Sequence, residues 1–534
     1  MEKQNNRTQA LIIGGLGFFF LYTWISFILT PLAGDIKIFL ASAKQASYIS
    51  NDLLVGSFKV WELKSVLSRF LAYFLYKIAC LFAPFNSYPA ECIVKAVYSL
   101  LLIGIVFLAM KLLFRKKQSR VLWGTVAVSA LFMMSSTDCH LQVEMTASLM
   151  VLLAFAFYWN AIVTGKRAVG KLLFAGVLIG LVFYLKSILL LLSVSVVTAV
   201  CISLKEKNMK LSFGRMMIVV GGSLMALAFV GGLILLINPS EFQEILNAAE
   251  YQGSFFSPRI LWRESAEKFL AGHAEKPLYT PAILLGFVCL ILNTARIIRE
   301  RKLNQQSVNT GSAVIQIGFH LVLWAMPALF LLISDYYFNY HFAAYLFPAV
   351  FEIGNLIVNL EKQPGRARQI VFACAAVLAA GWYAVLFSVL SHNSQVFIQL
   401  DKEAYANNQV FLESIDFDPS ATVLYLDDGG GAYTLGNPSA LKYFFPLPLN
   451  RLHDESSMPC HVESLEKTLS YDGKYISVYD LWFFGQWRWR YENIQQKMEN
   501  EYELLGSYDV FYPPHVILPT DEISLTKFEL YQRK

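Results

Sequence analysis

The chain has 534 residues, of which 56% are hydrophobic, 15% aromatic and only 16% charged. This composition is typical of a polytopic membrane protein with a soluble part attached, not of a water-soluble domain alone. The net charge of +5 is modest and spread through loops, so a nucleic-acid partner is not indicated. Seven cysteines occur singly, none with CxxC spacing, which argues against a disulfide framework or a zinc site.

The first membrane segment is the apolar run over 9–32, which follows polar and basic residues 1–7. It is long enough to cross a bilayer and lacks a small-residue cleavage site, so we expect an anchor and not a cleaved signal peptide. Residues 34–39 then open a pattern with helical spacing. Asp35 is expected at the far membrane surface, where a carboxylate can take a proton from a bound hydroxyl. The alternative is a solvated aspartate that merely ends a helix.

The apolar stretch from Leu63 to Phe82 is predicted not to cross the membrane. Its apolar residues fall on one helical face, while polar residues that include Arg69 share much of the other. A helix of this kind lies in the membrane interface with its apolar side down. This stretch must also stay on one side of the membrane if all the short basic loops are to face the cytoplasm.

Ten further apolar runs predict membrane helices: 91–114, 121–137, 142–164, 170–185, 187–204, 212–237, 279–297, 313–334, 342–360 and 369–390. Five short basic loops join alternate pairs of these runs, and the positive-inside rule puts them in the cytoplasm. With the first segment, the chain makes about eleven crossings, with its N-terminus inside and its C-terminal part outside.

A very short outer turn between the third and fourth crossings carries Asp138, His140 and Glu144. Charged side chains that enter a membrane helix cost about 2.5–3.5 kcal/mol on insertion scales, so Glu144 needs a partner or a water-filled cavity. These residues are candidate substrate ligands. The alternative is a polar turn whose charges reach water.

Several basic residues near the outer surface are candidates for binding a lipid phosphate. Arg259 and Arg263 lie in the second long outer loop, and Lys186 lies between two short apolar runs. His341 ends an aromatic-rich outer turn and is a candidate substrate contact. The alternatives are lipid-headgroup anchoring for the cations and an aromatic interface belt for the turn.

After residue 390 the sequence changes to a mixed pattern that is typical of soluble α/β structure. We predict strands over 422–426 and 508–512, a glycine-rich turn over 427–431 and a helix over 481–498. The glycines lack the spacing of nucleotide-binding loops, so a nucleotide ligand is not indicated.

The predicted organisation is a mostly α membrane helical bundle followed by a soluble domain. The bundle covers 1–390, with outer loops over 33–90 and 238–278, and an extracytoplasmic α/β domain covers 391–534. The expected location is the cytoplasmic (inner) membrane. Outer segments lack N-glycosylation sequons, which favours a bacterial setting.

Together, the acid after the first membrane helix, the interfacial helix, the second acid in the tiny loop and the outward C-terminal domain resemble GT-C fold glycosyltransferases. The resemblance covers residues 9–360 and is nearest to protein O-mannosyltransferases, the lipid A aminoarabinose transferase and bacterial enzymes that decorate surface polysaccharides. Segments 432–439 and 442–448 also resemble the bacterial members. Many relatives have two adjacent acids at the first position, whereas Ile36 follows Asp35 here, which leaves the fine substrate class open.

The resemblance implies a glycosyltransferase that moves a sugar from a polyprenyl-phosphate donor, not a nucleotide sugar, to an envelope glycan, lipid or protein. Asp35 would be the general base, and Asp138 would orient the acceptor or the sugar, or hold a divalent metal with His140. The metal-free version is favoured, so no cofactor is expected. The other candidate ligands for the substrate and its phosphate are Arg69, Glu144, Lys186, Arg259, Arg263 and His341.

Three other functions stay open. A transporter or flippase of lipid-linked sugars usually has polar groups near the bilayer midplane, whereas most charges here cluster at the outer surface. A polysaccharide polymerase or ligase shares the lipid-linked donor and the large outer loops. A non-catalytic assembly protein would use the C-terminal domain as its interaction module.

Overall fold

We describe the chain from a computed structural model. The described residues are 18, 21–22, 24–29, 34–60, 65–114, 143–165, 167–185, 209–242, 267, 280–303, 317–318, 320–325, 327–329, 344–360, 381, 384, 395–427, 429–441, 459–479, 492–511 and 525–534. The chain divides into two compact units, each assembled from three segments. The first unit comprises Met1–Phe27, Ser99–Gly231 and Phe255–Ser391, and the second comprises Ile28–Tyr98, Gly232–Ser254 and His392–Lys534.

Helices dominate the described residues. In chain order they are α1 (Gly34–Ile49), α2 (Leu53–Lys59), α3 (Val66–Cys80), α4 (Tyr88–Leu113), α5 (Val143–Thr164), α6 (Ala168–Phe183), α7 (Met209–Ile237), α8 (Thr280–Leu303), α9 (Leu346–Leu360), α10 (395–414), α11 (Gly430–Leu435), α12 (Pro459–Ser470) and α13 (Glu492–Glu501). The strands are β1 (Val423–Leu426), β2 (Tyr475–Val478), β3 (Tyr502–Val510) and β4 (Thr526–Arg533).

Three helices in the described part of the chain, α4, α5 and α7, are long and apolar enough to cross a membrane. They match the predicted runs 91–114, 142–164 and 212–237, and together with the apolar α6 they support a membrane location. The predicted runs 121–137 and 187–204 lie outside the described residues, as does most of two others. The total of about eleven crossings therefore stays a prediction.

Glycines allow α6 and α7 to approach closely in the first unit. A side chain at Gly176 would overlap the backbone carbonyl of Val219, and one at Gly222 would overlap the carbonyl of Leu173. The Ser223 hydroxyl also donates a hydrogen bond of 3.0 Å to the Gly176 carbonyl. Because lipid tails are as apolar as side chains, such close packing is a main source of helix association in a bilayer.

The segment predicted as the first outer loop contains α1, α2 and α3, which belong to the second unit. Helix α2 begins where the Asp52 side chain accepts a 2.9 Å hydrogen bond from the Val55 N–H, an ordinary N-cap. Helix α3 packs on both of the others, and its Tyr73 hydroxyl donates to the Ser50 carbonyl at 2.6 Å. At 15 residues, α3 is too short to be a candidate span.

The polar face of α3 turns into the protein. Ser68, Arg69 and Tyr73 are all buried, whereas Phe70 and Phe74 on the apolar face are only half-buried. The packing surface of α3 thus includes its polar side, where hydroxyls and the guanidinium find bonding partners. An apolar side left partly uncovered is what an interfacial helix would offer to lipid, and that interfacial placement stays a prediction.

The C-terminal segment contributes a mixed four-stranded sheet with the order β1-β2-β4-β3. β1 and β2 are parallel, and β4 runs antiparallel to both β2 and β3. Side chains from β1, β2 and α13 form its core, which includes Leu424, Ile476 and Met498. The predicted strand over 422–426 is confirmed as β1, and the one over 508–512 overlaps the end of β3. Of the predicted helix over 481–498, only the part within α13 lies among the described residues.

Candidate active site

Three of the predicted site residues lie among the described residues. Asp35 is the second residue of α1, Arg69 lies in the first turn of α3, and Glu144 is buried in the first turn of α5. The other predicted site residues lie outside the described residues: Asp138, His140, Lys186, Arg259, Arg263 and His341.

Helix α1 begins at Gly34, directly after the first apolar run, so Asp35 falls in its first turn. An acid at this position interacts favourably with the positive end of the helix dipole. A carboxylate in the first turn of a helix therefore does not by itself indicate catalysis. The placement of Asp35 depends on the contacts that hold this first turn.

A buried cluster of charges holds the first turn of α1. The Lys37 ammonium lies 2.8 Å from Oδ1 of Asp401 in α10 and 3.4 Å from Oε1 of Glu91 in α4. The Tyr433 hydroxyl of α11 donates a 2.7 Å hydrogen bond to the same Glu91 oxygen. The side chains of Lys37, Glu91 and Asp401 are 4%, 2% and 12% exposed, so all three charges are largely withdrawn from water.

The electrostatics of the cluster favour the charged lysine and the neutral tyrosine. Burial alone would lower the pKa of Lys37, but the carboxylates of Asp401 and Glu91 outweigh it and raise the pKa above its ordinary value. Burial raises the pKa of the Tyr433 phenol well above 10, and the adjacent Glu91 carboxylate raises it further. Lys37 therefore stays protonated at neutral pH, and Tyr433 stays a hydrogen-bond donor.

A second set of bonds holds the C-terminal half of α1. The buried Gln45 amide donates to the Asn437 carbonyl at 2.8 Å, and its oxygen accepts from the Ser439 N–H at 2.9 Å. The Tyr48 hydroxyl donates to the Gly436 carbonyl at 2.6 Å. The segment that carries these backbone groups lies within residues 432–439, which resemble bacterial GT-C members in sequence. In this structure the segment bonds to α1.

The glycine-rich turn after β1 also lies against α1. Gly429 has φ +98°, a conformation that suits glycine, and a side chain there would meet Ile38 of α1. The buried Asp427 carboxylate accepts from the Gly429 N–H and from the Ser477 hydroxyl, both at 2.7 Å. A side chain on Gly431 would overlap this carboxylate. The turn is therefore a packing element, and its glycines allow close contact.

Arg69 forms a buried ion pair with Glu241, the fourth residue after α7. The guanidinium also donates to the Val60 carbonyl, and the Asn238 amide donates to the Phe58 carbonyl at 2.9 Å and to Glu241 at 3.3 Å. Arg69 and Glu241 are 0% and 4% exposed. The structure thus assigns Arg69 a carboxylate partner that sequence periodicity does not reveal.

The first unit contains a polar cluster that sequence analysis missed. Glu352 of α9 is fully buried; its Oε1 lies 2.5 Å from Nδ1 of His320, and its Oε2 accepts from the Asn293 amide at 2.8 Å. The sequence signal was a single glutamate inside the predicted apolar run 342–360, since a charge there needs a partner. Among the described residues, no group of three or more His, Cys, Asp or Glu side chains is arranged to hold a metal.

No protein-family model and no curated protein sequence matches the chain. Solved structures do. Crystal structures of ArnT from Cupriavidus metallidurans match with a TM-score of 0.53 at 12% identity, both bound to undecaprenyl phosphate (98% of this chain, 97% of that chain) and in the apo state (99% and 98%). The oligosaccharyltransferase of Archaeoglobus fulgidus in its apo form is similar at TM-score 0.45 and 12% identity, over 96% of this chain and 74% of that one.

Proposed function

Because the chain has the fold of the GT-C membrane glycosyltransferases, we propose that it transfers a sugar from a polyprenyl-phosphate donor to a hydroxyl of a cell-envelope glycan, lipid or protein. The observation that carries the proposal is the shared fold with ArnT, which extends over nearly the whole of both chains. The solved ArnT is bound to undecaprenyl phosphate, which is the kind of lipid phosphate that the proposed donor would release.

In the proposed reaction, the Asp35 carboxylate accepts the proton of the acceptor hydroxyl. The hydroxyl oxygen forms a bond to the anomeric carbon from the face opposite the phosphate. The bond from that carbon to the phosphate oxygen breaks, and the polyprenyl phosphate leaves with the electron pair. Such general-base assistance contributes roughly 10²- to 10⁴-fold to a rate, and the anomeric configuration is inverted.

The leaving phosphate gains negative charge, so fixed cations beside it lower the barrier. Lys186, Arg259 and Arg263 are proposed for this role, and Asp138, Glu144 and His341 are proposed to orient the sugar or the acceptor. Arg69 can take part only by exchanging Glu241 for a phosphate group, because its guanidinium is already paired. A divalent cation held by Asp138 and His140 is the alternative to the metal-free reaction.

We further propose that the second unit lies on the outer face of the cytoplasmic membrane. Bonded residues must lie on the same side, so an even number of crossings must separate them. The predicted runs put six crossings between Arg69 and Glu241 and ten between Lys37 and Asp401. Both counts are even, as one common side requires, and the count between Lys37 and Asp401 would be odd if α3 crossed the membrane. The positive-inside rule makes that common side the outer one.

Deletion of the gene tests the proposed function. We expect mass spectrometry of the envelope to find one sugar missing from a polymer, lipid or protein, while the matching lipid-linked sugar accumulates on the outer side. Reintroducing the wild-type gene should restore the sugar. A flippase defect would instead block every enzyme that uses the same lipid and leave the donor on the cytoplasmic side, so that pattern would contradict the proposal.

The orientation gives a separate prediction. A peptide tag after Lys534 is expected to react with a membrane-impermeant reagent from outside the cytoplasmic membrane, since the C-terminal segment is proposed to be outside. A tag within the basic loop 362–368 serves as the control and should be protected until the membrane is opened. Protection of the C-terminal tag would overturn the orientation.

A further inference from the structure

We propose that Lys37 is a positioning residue that fixes the first turn of α1, and that the C-terminal segment supplies the partners that make this possible. The inference rests on the proposed function, because its consequence is the placement of Asp35. Asp35 and Lys37 share one helical turn, so a bond that fixes Lys37 also fixes the backbone that carries Asp35.

The position of Lys37 is defined from three directions. Asp401 approaches from α10 and Glu91 from α4, and the rings of Tyr433 and Phe511 lie 5.5 and 5.7 Å from the ammonium. Glu91 is in turn bonded to Tyr433. A helix end held by several directional contacts cannot rotate or slide without breaking a buried charge pair, which is strongly unfavourable.

The second point of attachment sets the rotation of the whole helix. Gln45 lies eight residues after Lys37, about two helical turns, and so falls near the same face of α1. Its amide exchanges two hydrogen bonds with the backbone of Asn437 and Ser439. Asn437 is itself fixed, because its amide donates to the carbonyls of Asp418 and Ala421 at 3.0 and 2.9 Å. Both attachments use the C-terminal segment.

Positioning explains the cluster better than stability does. Replacing a buried ion pair with well-packed apolar residues is often neutral or stabilising, so charges buried at such a place are weak support for a purely structural role. What directional charges add is a single defined arrangement. Catalysis depends steeply on such an arrangement, since a displacement of about 1 Å can lower a rate by roughly 10²-fold.

The test compares Lys37→Met with Lys37→Arg in the full-length protein. We expect Lys37→Met to lower sugar incorporation in cells at least tenfold, while the affinity of the purified protein for undecaprenyl phosphate changes less than twofold. Lys37→Arg should recover most of the rate, because it keeps the charge. Asp401→Asn, which removes one partner but leaves Glu91, should fall between them and covers the case in which Lys37→Met does not fold. Lys171→Met, which removes a half-buried lysine of α6 in the first unit, is the matched control and should be unchanged.

Hydrogen exchange separates this inference from the proposed function. Lys37→Met should speed exchange of the amides of residues 38–41, which in an α-helix bond to the carbonyls of the first turn of α1, and leave β2 and β4 unchanged, whatever the substrate is. Unchanged exchange of these amides, or equal loss of lipid affinity and of transfer, would overturn the positioning role. Faster exchange in a protein whose wild type transfers no sugar would support the positioning role and count against the proposed function.

Discussion

Replacing Asp35 with asparagine is expected to lower sugar transfer by roughly 10²- to 10⁴-fold, the loss that follows removal of a general base. Asparagine has nearly the same shape but cannot accept the proton of the acceptor hydroxyl. The protein should still fold and reach the membrane, because asparagine is tolerated at a helix start. The measurement is sugar incorporation into the envelope of a deletion strain that carries the variant, at matched protein levels.

Asp52→Asn provides the matched control for this change. Asp52 is an exposed N-cap in the segment 33–90 that also contains Asp35, and asparagine caps a helix about as well as aspartate, so stability and transfer should both be preserved. Near-normal glycosylation by Asp35→Asn would remove Asp35 from the catalytic role. Equal losses in both variants would point to a general effect of charge on the loop.

The second large effect is expected at the ion pair between Arg69 and Glu241. Arg69→Met leaves the Glu241 carboxylate buried without its cation, and breaking a buried pair in this way lowers the free energy of unfolding by about 3–5 kcal/mol. Thermal unfolding of the protein in detergent measures the loss. The double variant Arg69→Met with Glu241→Leu should recover much of it, because no charge is then left unpaired.

The same double variant decides whether Arg69 also binds phosphate. If the role of Arg69 is purely structural, the double variant, whose stability is restored, should bind undecaprenyl phosphate as the wild type does. A large loss of affinity in a stable double variant would instead support the phosphate role and contradict the structural one. Lys77→Met is a suitable control, since Lys77 is a half-buried lysine on the same helix that donates a 3.3 Å hydrogen bond to Asn51 and contacts the Tyr73 ring.

The sequence predicted the parts of the fold that depend on local pattern. The apolar runs 91–114, 142–164 and 212–237 are confirmed as helices that are long and apolar enough to cross a membrane. A backbone in lipid must satisfy its own hydrogen bonds as a helix, and the length of such a run is readable directly. The strand β1 was also predicted correctly, since a short buried apolar run that ends in glycines has few alternatives.

The partners of the buried charges were not predictable in this way. Lys37 gave no sequence signal, yet it pairs with Asp401, 364 residues later in the chain. The sequence predicts Arg69 on a polar helical face, and the structure buries it against Glu241. Glu352 lies inside an apolar run, and the sequence does not indicate its partner His320.

The sequence by itself therefore determined three helices that are long and apolar enough to cross a membrane, and a helix that begins beside Asp35. The tertiary structure decided what holds that helix, because helical periodicity repeats over a few residues. Ion pairs and side-chain hydrogen bonds between distant segments depend instead on which segments the tertiary fold brings together.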